Sequence, residues 1–256
     1  MINYINYDVS ILPSEARYWF MILGALVCGF LFVKYFDNLS QEKRDPYLKR
    51  LGVALLLTAS FLPIYTILIP EHLFSFHRSL PLHFCSLNIW LIGLNCFVRS
   101  RNLFVYTFFM GIIGGFYSVL TPLLTVGDAP LVIVHYIIVH TALFTVPIVM
   151  IRLYGMRLKY YDWIRGYLFA AAISTVMVFI NSYLNLYVEN TGGAPANYMF
   201  VSVAPAVSNP FLFEGLEWPF YLIPIHFGLL LHILIINIIY RKREKNAIVT
   251  QPQLWQ

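Results

Sequence analysis

The chain has 256 residues, of which 59% are hydrophobic and only 11% are charged, and its formal net charge is +5. Soluble domains carry about 25% charged residues, so this composition excludes an ordinary soluble protein and indicates a polytopic membrane protein. Lysine and arginine cluster at the ends of apolar runs, where they set topology and meet anionic headgroups. We therefore expect membrane lipids as partners and no nucleic acid.

Seven apolar runs are long enough to cross a bilayer, which takes about 20 helical residues. They predict an all-α bundle of seven transmembrane helices, in a single integral membrane domain that covers residues 1–256. The predicted spans are 18–36, 51–70, 81–98, 102–124, 130–151, 164–186 and 219–240. A polar turn at 125–129 joins the fourth and fifth runs, and a short basic tail follows at 241–256.

The basic residues predict the orientation of the bundle. Of the 17 lysines and arginines, only Arg17 and Arg78 lie on one side of the alternating spans, and the other 15 lie on the opposite side. The positive-inside rule then places the N-terminus outside and the C-terminus inside, and we expect the plasma membrane. The sequence indicates no cofactor and no metal site, and it makes no prediction of the oligomeric state.

The third run begins with polar side chains that a purely structural membrane helix does not need. The segment reads Leu80-Pro81-Leu82-His83-Phe84-Cys85-Ser86-Leu87-Asn88. Cys85 and Asn88 fall on one helical stripe with Ile92 and Asn95, whereas His83 is predicted to point to a different side. The stripe therefore places a thiol and amides where neighbouring helices must meet them.

Small residues in the fourth run predict close helix packing. Gly111, Gly114, Gly115 and Ser118 form pairs of small residues four positions apart, which allow two backbones to approach closely. We interpret this stripe as structural.

Histidines in the fifth and seventh runs are further candidates for chemistry, because polar residues within a bilayer are functional candidates. His135 and His140 lie five apart in the outward half of the fifth run, and Tyr136 shares a face with His140. His226 lies in the outward half of the seventh run, opposite polar residues of the sixth. We expect the polar groups of the third, fifth, sixth and seventh runs to line one cavity that opens to the outer leaflet.

Three short motifs, spread over nearly the whole chain, carry a family resemblance. They are Leu80-Pro81-Leu82-His83-Phe84-Cys85, Asn197-Tyr198-Met199-Phe200 and Trp218-Pro219-Phe220-Tyr221. They are similar to the L-P-L-H-L-C, N-Y-M/L-F/Y and W-P-W-Y motifs of a bacterial family of integral membrane proteins typified by YwaF. That family is related to eukaryotic membrane acyltransferases that remodel ether phospholipids. His140 stands where the family has a histidine, while Ser86 and His226 stand where it often has acids.

The resemblance implies lipid-acyl chemistry with Cys85 as the nucleophile and a histidine as its partner. Cys85 would attack an acyl ester of a membrane lipid and form a thioester, while His140 or His135 takes the thiol proton. His140 is favoured by the resemblance, whereas His135 matches the predicted depth of Cys85 better, since His140 lies roughly two helical turns deeper.

The remaining candidates support the reaction or bind the substrate. Asn88, Asn197 or backbone amides could stabilise the oxyanion. His83, Tyr198 and His226 are further candidates for supporting or substrate-binding roles.

Three alternatives stay open. The protein could bind or carry a lipid or a small apolar molecule without turning it over, since 17% of its residues are aromatic and would line such a cavity. It could be a metal-dependent intramembrane hydrolase, because its histidines and Cys85 offer nitrogen and sulfur ligands, although neither an H-x-x-x-H nor an H-E-x-x-H spacing occurs. Cys85 could also be inert packing, as we interpret Cys28 and Cys96 to be.

Overall fold

The structure is a computed structural model that describes residues 8–69, 74–188, 195–204, 211, 213 and 215–246. This part of the chain forms seven α-helices and one pair of very short strands. In chain order they are β1 (Val9–Ser10), α1 (Ala16–Asp37), α2 (Gln41–Leu68), α3 (Phe84–Val98), α4 (Arg101–Leu120), β2 (Leu123–Leu124), α5 (Pro130–Tyr154), α6 (Asp162–Val188) and α7 (Leu222–Asn246). A single 3-10 turn, Tyr198–Phe200, lies between α6 and α7.

The predicted all-helical architecture is confirmed, and six of these helices are long and apolar enough to cross a membrane. The exception is α3, which has 15 residues and therefore spans only about 22 Å, less than the hydrocarbon core of about 30 Å. It begins at Phe84 rather than at the predicted residue 81, because Pro81 lacks an N–H and His83 adopts an extended conformation. The chain reaches α3 through irregular backbone.

Several helices begin or end at residues other than the predicted ones. Helix α2 begins at Gln41 rather than near residue 51, so its first turns are charged. Helix α4 ends at Leu120 rather than at 124, because Leu123 and Leu124 leave the helix and pair antiparallel with Ser10 and Val9. The basic tail continues α7 as far as Asn246, and its remaining residues, 247–256, lie outside the described part of the chain.

The core of the bundle is centred on α4 and α5, each of which carries more buried residues than any of the remaining helices. Helix α5 contacts α1, α2, α3 and α4, while α6 packs against α4 and α7. The helices alternate in direction, so the start of α3, the end of α4 and the start of α5 lie at the same end of the bundle. We call this the cavity end.

The glycine stripe of α4 packs as the sequence predicts. A Cβ at Gly111 would overlap the carbonyl oxygen of Leu143 in α5, and a Cβ at Gly115 would lie 3.0 Å from the carbonyl oxygen of His140. A Cβ at Gly114 would lie 2.5 Å from the ring of Phe84. The backbone of α4 therefore touches α5 and the start of α3 directly, which fixes the relative heights of the three helices.

Ion pairs close both ends of the bundle. At the cavity end, Arg17 bonds Glu15 and Asp128, each at 2.6 Å. The Leu12 amide, and then Arg17, hold the pKa of Glu15 below its usual value, and Arg17 does the same to the pKa of Asp128. At the opposite end the pairs include Arg99–Asp45, Arg101–Asp162 and Arg152–Asp37.

We expect Gly111→Ala to destabilise the bundle by about 1–3 kcal/mol, because the added methyl group meets backbone that cannot move aside without separating α4 from α5. Gly24→Ala is the matched control, since its Cβ would meet only Ile137 at 3.9 Å, an ordinary contact. Thermal unfolding of the two purified variants in detergent micelles measures the difference. A Gly111→Ala protein as stable as the Gly24→Ala protein would contradict the close approach.

Candidate functional site

A cavity of about 490 Å³ lies at the cavity end, between α2, α3, α4 and α5. Its volume is within the range of small-molecule sites, roughly 300–1,000 Å³. We call it the first cavity. Most of its lining is apolar, and its polar lining includes Arg78, Ser79, His83, Cys85, Ser86, Ser118, His135, Tyr136 and His140. The predicted nucleophile, both histidines of the fifth helix and His83 thus line one space.

Cys85 is the second residue of α3, and its sulfur lies 3.3 Å from the hydroxyl oxygen of Ser118. The N–H groups of Phe84, Cys85 and Ser86 have no partner within the helix, because they belong to its first turn. Among the described residues, no side chain caps them. The positive end of the helix dipole therefore faces the thiol and favours negative charge there. Cys85 lies in the first turn because Pro81 and the extended His83 make α3 begin just before it.

His140 is held in one tautomer by its own helix. Its Nδ1 lies 2.8 Å from the carbonyl oxygen of Tyr136. Because a carbonyl only accepts, Nδ1 donates, and in the neutral ring Nε2 keeps its lone pair. The ring also stacks against that of Tyr136, with centroids 3.8 Å apart.

Tyr136 and Ser118 connect His140 to Cys85. The Tyr136 hydroxyl donates to the carbonyl oxygen of Ser118 at 2.8 Å, and the Ser118 side chain contacts the thiol. His140 contacts α4 at Gly115, three residues from Ser118, which is about 4.5 Å along the helix. The His140 carbonyl thus lies about one helical turn along α4 from Ser118, the residue that contacts the thiol.

His135 and His83 occupy the walls of the same cavity. His135 places Nε2 2.9 Å from the carbonyl oxygen of Thr58 in α2 and packs against Phe61. His83 packs edge-on against Tyr198. His83 is extended rather than helical, so helical periodicity does not apply to it. It contacts Tyr198 and Phe200, whereas Cys85 contacts Ser118, and both residues line the first cavity.

Among the described residues, no hydrogen bond joins the Cys85 sulfur to an imidazole, and the Ser118 hydroxyl is the partner found there. Catalytic hydrogen bonds often tighten only in the complex with substrate. Within the described part of the chain, no group of three or more histidine, cysteine or acidic side chains is placed to hold a metal ion.

Asn88 is fully buried, but it is not part of the described lining of the first cavity. Its amide lies beside Gly111, one layer deeper in the helix interface. Neither amide atom has a hydrogen-bond partner among the described residues. Besides the Ser118 hydroxyl, the backbone N–H groups at the start of α3 are the donors beside Cys85.

His226 lines a second, smaller cavity of about 230 Å³ between α4, α6 and α7. Its Nε2 lies 3.3 Å from the hydroxyl oxygen of Ser174. The expectation of one cavity lined by four helices is therefore wrong. Phe84, Ile113, Tyr117 and Phe200 line both spaces and stand between them.

Asn197 and Tyr198 build the loop that covers the site. Asn197 accepts hydrogen bonds from the amides of Ser202 and Val203 and donates to the Val203 carbonyl. Tyr198 is fully buried, and its hydroxyl accepts from the Leu80 amide at 3.0 Å and donates to the Phe76 carbonyl at 2.8 Å. Burial raises the pKa of Tyr198 to about 12, so this hydroxyl keeps its proton at neutral pH.

The α6 helix fastens the same loop through two asparagines one turn apart. Asn181 bonds the amide and carbonyl of Tyr198, and Asn185 bonds the amide and carbonyl of Ala196. The N-Y-M-F segment is thus held to α6 on one side and to the segment before α3 on the other. These contacts place Phe200 against His83 at the wall between the cavities.

Sequence reasoning missed two residues of the first cavity. Ser118 was assigned to the packing stripe, yet it is the contact of the thiol, and Tyr136 was noted only for sharing a face with His140. Ser118 is the one hydroxyl in a stripe that otherwise consists of glycines, and it lies at the outward end of that stripe. This position is the feature of the sequence that points to Ser118 as a cavity residue.

The comparisons with known proteins agree with a membrane protein. A family model described as the TMEM164 family matches residues 13–237, which is most of the chain. No curated protein and no solved structure matches.

We expect Tyr198→Phe to loosen the segment before α3, because it leaves the buried Leu80 amide and Phe76 carbonyl without their partner, at a cost of about 1–3 kcal/mol. Tyr161→Phe is the control, since Tyr161 is exposed and its hydroxyl bonds none of the described residues. Hydrogen–deuterium exchange should speed up at Leu80 in the first variant only. Unchanged protection of Leu80 would show that Tyr198 does not hold this loop.

Proposed function

We propose that this chain, which belongs to the TMEM164 family of membrane proteins, is a membrane lipid acyltransferase in which Cys85 carries the acyl group as a thioester. The observation that supports this most strongly is the position of the Cys85 thiol. It lies at the start of a helix, inside an apolar cavity that three histidines also line. An acyl chain needs the apolar walls, and acyl transfer needs the nucleophile and the base.

The start of α3 supplies electrostatic stabilisation for two negative charges. The helix dipole favours a thiolate at Cys85. The free backbone N–H groups of Cys85 and Ser86 are the natural donors for the oxyanion that forms when the sulfur attacks a carbonyl. This assignment replaces Asn88, which is buried away from the cavity lining, and Asn197, whose side chain caps its own loop.

His140 is the better candidate for the base. Its Nδ1–H is held by the Tyr136 carbonyl and its ring by the Tyr136 ring, so the lone pair on Nε2 is held in a defined direction. His135 uses Nε2 to donate to the Thr58 carbonyl, which leaves Nδ1 as its basic atom. His135 is therefore the second candidate, and direct substitution distinguishes the two.

In the first half-reaction, the Cys85 thiol transfers its proton to His140 Nε2 while the sulfur attacks the acyl carbonyl of a lipid ester. The C–O bond of the ester then breaks, and the imidazolium returns the proton to the departing lipid oxygen. The products are a lysolipid and a thioester at Cys85.

In the second half-reaction, the hydroxyl of an acceptor lysolipid gives its proton to His140 and attacks the thioester carbonyl. The C–S bond breaks, the acyl group passes to the acceptor, and the thiolate recovers its proton from the imidazolium. No water, metal or redox partner enters this sequence of steps.

The same proposal places the reaction in the outer half of the plasma membrane. The cavity end is the end that carries only Arg17 and Arg78 of the basic residues, so the positive-inside rule orients it outward, with seven helices crossing or entering the bilayer. The protein would then act on lipids of the outer leaflet.

A second candidate function is binding of a lipid without turnover. The largely apolar lining of both cavities favours it. It requires neither Cys85 nor His140, so the experiment below also distinguishes it from acyl transfer.

We expect Cys85→Ala to abolish exchange of acyl chains between a phospholipid and a lysolipid in proteoliposomes, and His140→Asn to slow it by about 10²–10⁴-fold, the usual contribution of a general base. Cys96→Ala is the control for the thiol, because Cys96 is buried elsewhere in the core. The measurement is the initial rate of labelled acyl exchange.

Full acyl exchange by Cys85→Ala would overturn the assignment of Cys85 as the nucleophile. A large loss in His135→Asn together with an active His140→Asn would reverse the assignment of the base. Unaltered folding of each variant is checked by its thermal unfolding temperature in the same detergent.

A further inference from the structure

Arg78 is the one cationic side chain among the described residues that line the first cavity. It lies before α3, at the mouth of the cavity, and its side chain is 25% exposed. Its guanidinium donates to the Asp8 carboxylate at 2.6 Å. Arginine stays charged in proteins, so a fixed positive charge stands on the route that a lipid would take to Cys85.

The polar groups of the mouth continue around Arg78. Ser79 and Thr125 line the same end of the cavity, and the Ser79 hydroxyl oxygen already accepts from the Ser75 amide at 3.0 Å. The Ser79 hydroxyl can therefore donate its own hydrogen to an anion. Most of the remaining lining is apolar. The cavity thus combines one cationic side chain and neighbouring hydroxyl groups with walls that suit an acyl chain.

We propose that Arg78 binds the phosphate of a glycerophospholipid whose acyl chain enters the first cavity, and that Asp8 occupies the guanidinium until the phosphate replaces it. The planar guanidinium matches phosphate oxygens with two parallel hydrogen bonds. The position of the ester at Cys85 rests on the proposed function, whereas phosphate binding at Arg78 does not.

Asp8 is well placed for such an exchange. A half-buried charge needs a partner, and Asp8 serves as one in this structure. It directly precedes β1, which pairs with Leu123 and Leu124, and both leucines line the cavity. A pairing of two residues is weak by itself, and Asp8 stands at its very end.

The experiment measures equilibrium binding to the full chain in detergent micelles by native mass spectrometry. The ligands are a phosphatidylethanolamine, the diacylglycerol with the same chains, and inorganic phosphate. Arg78→Gln should weaken phosphatidylethanolamine binding by about tenfold to 100-fold, the usual effect of losing charged hydrogen bonds, and leave diacylglycerol binding unchanged. Asp8→Asn should tighten phosphatidylethanolamine binding several-fold.

Two further variants control for the fold and for general charge. Arg78→Lys keeps the positive charge but lacks the planar guanidinium that forms two parallel hydrogen bonds. It should bind phosphatidylethanolamine with intermediate affinity. Arg17→Gln removes the other basic residue of the cavity end, which pairs with Glu15 and Asp128 but does not line the described cavity. It should bind phosphatidylethanolamine as the unmodified protein does.

Unchanged phosphatidylethanolamine binding by Arg78→Gln would overturn the proposal. Equal loss of diacylglycerol binding would also overturn it, since Arg78 would then only hold the fold. Inorganic phosphate binding as tightly as the phospholipid would show a site for free anions rather than for lipid. Binding that depends on Arg78 in a protein that never acylates Cys85 would leave this proposal standing and refute acyl transfer.

Discussion

The backbone of α4 approaches α5 so closely at Gly111 and Gly115 that no side chain fits between them. A side chain at either position would force the helices apart, and the heights of Ser118, Tyr136 and His140 would no longer be fixed relative to one another. The contact of Gly114 with Phe84 ties the start of α3 to the same framework. The geometry around Cys85 therefore depends on a packing contact one to two turns below it.

That framework gives Cys85 an environment different from those of the other cysteines. Cys96 is enclosed by core side chains, and Cys28 lies on an exposed surface of α1. Cys85 lies in the first turn of a helix, contacts the Ser118 hydroxyl and lines the first cavity. Burial alone makes a cysteine inert, whereas a helix start and a nearby imidazole favour the thiolate. The candidate site is thus built from local backbone geometry as much as from side chains.

Much of this arrangement follows from patterns that the sequence displays. Apolar runs predict the helices, because length and hydrophobicity decide what can span a bilayer. The glycine spacing predicts a close helix contact in α4, and the structure shows that its partner is α5. Local rules also single out Cys85 and the histidines of the fifth helix. The start of α3 is less well determined by the sequence, since a proline followed by apolar residues suits either an extended or a helical continuation. His83 therefore lies outside the helix that the sequence predicts for it. The division into two cavities depends on how Phe84, Tyr117 and Phe200 meet across distant segments, which no local pattern contains.

The central claim is that Cys85 becomes acylated. The most direct test is peptide mass spectrometry of the purified protein after incubation with a phospholipid of defined acyl chains. The account predicts a mass increase of one acyl group on the Cys85 peptide, removed by neutral hydroxylamine as a thioester should be, with Cys28 and Cys96 unmodified. An unmodified Cys85 peptide under conditions in which acyl exchange is measured, or equal acylation of all three cysteines, would contradict it.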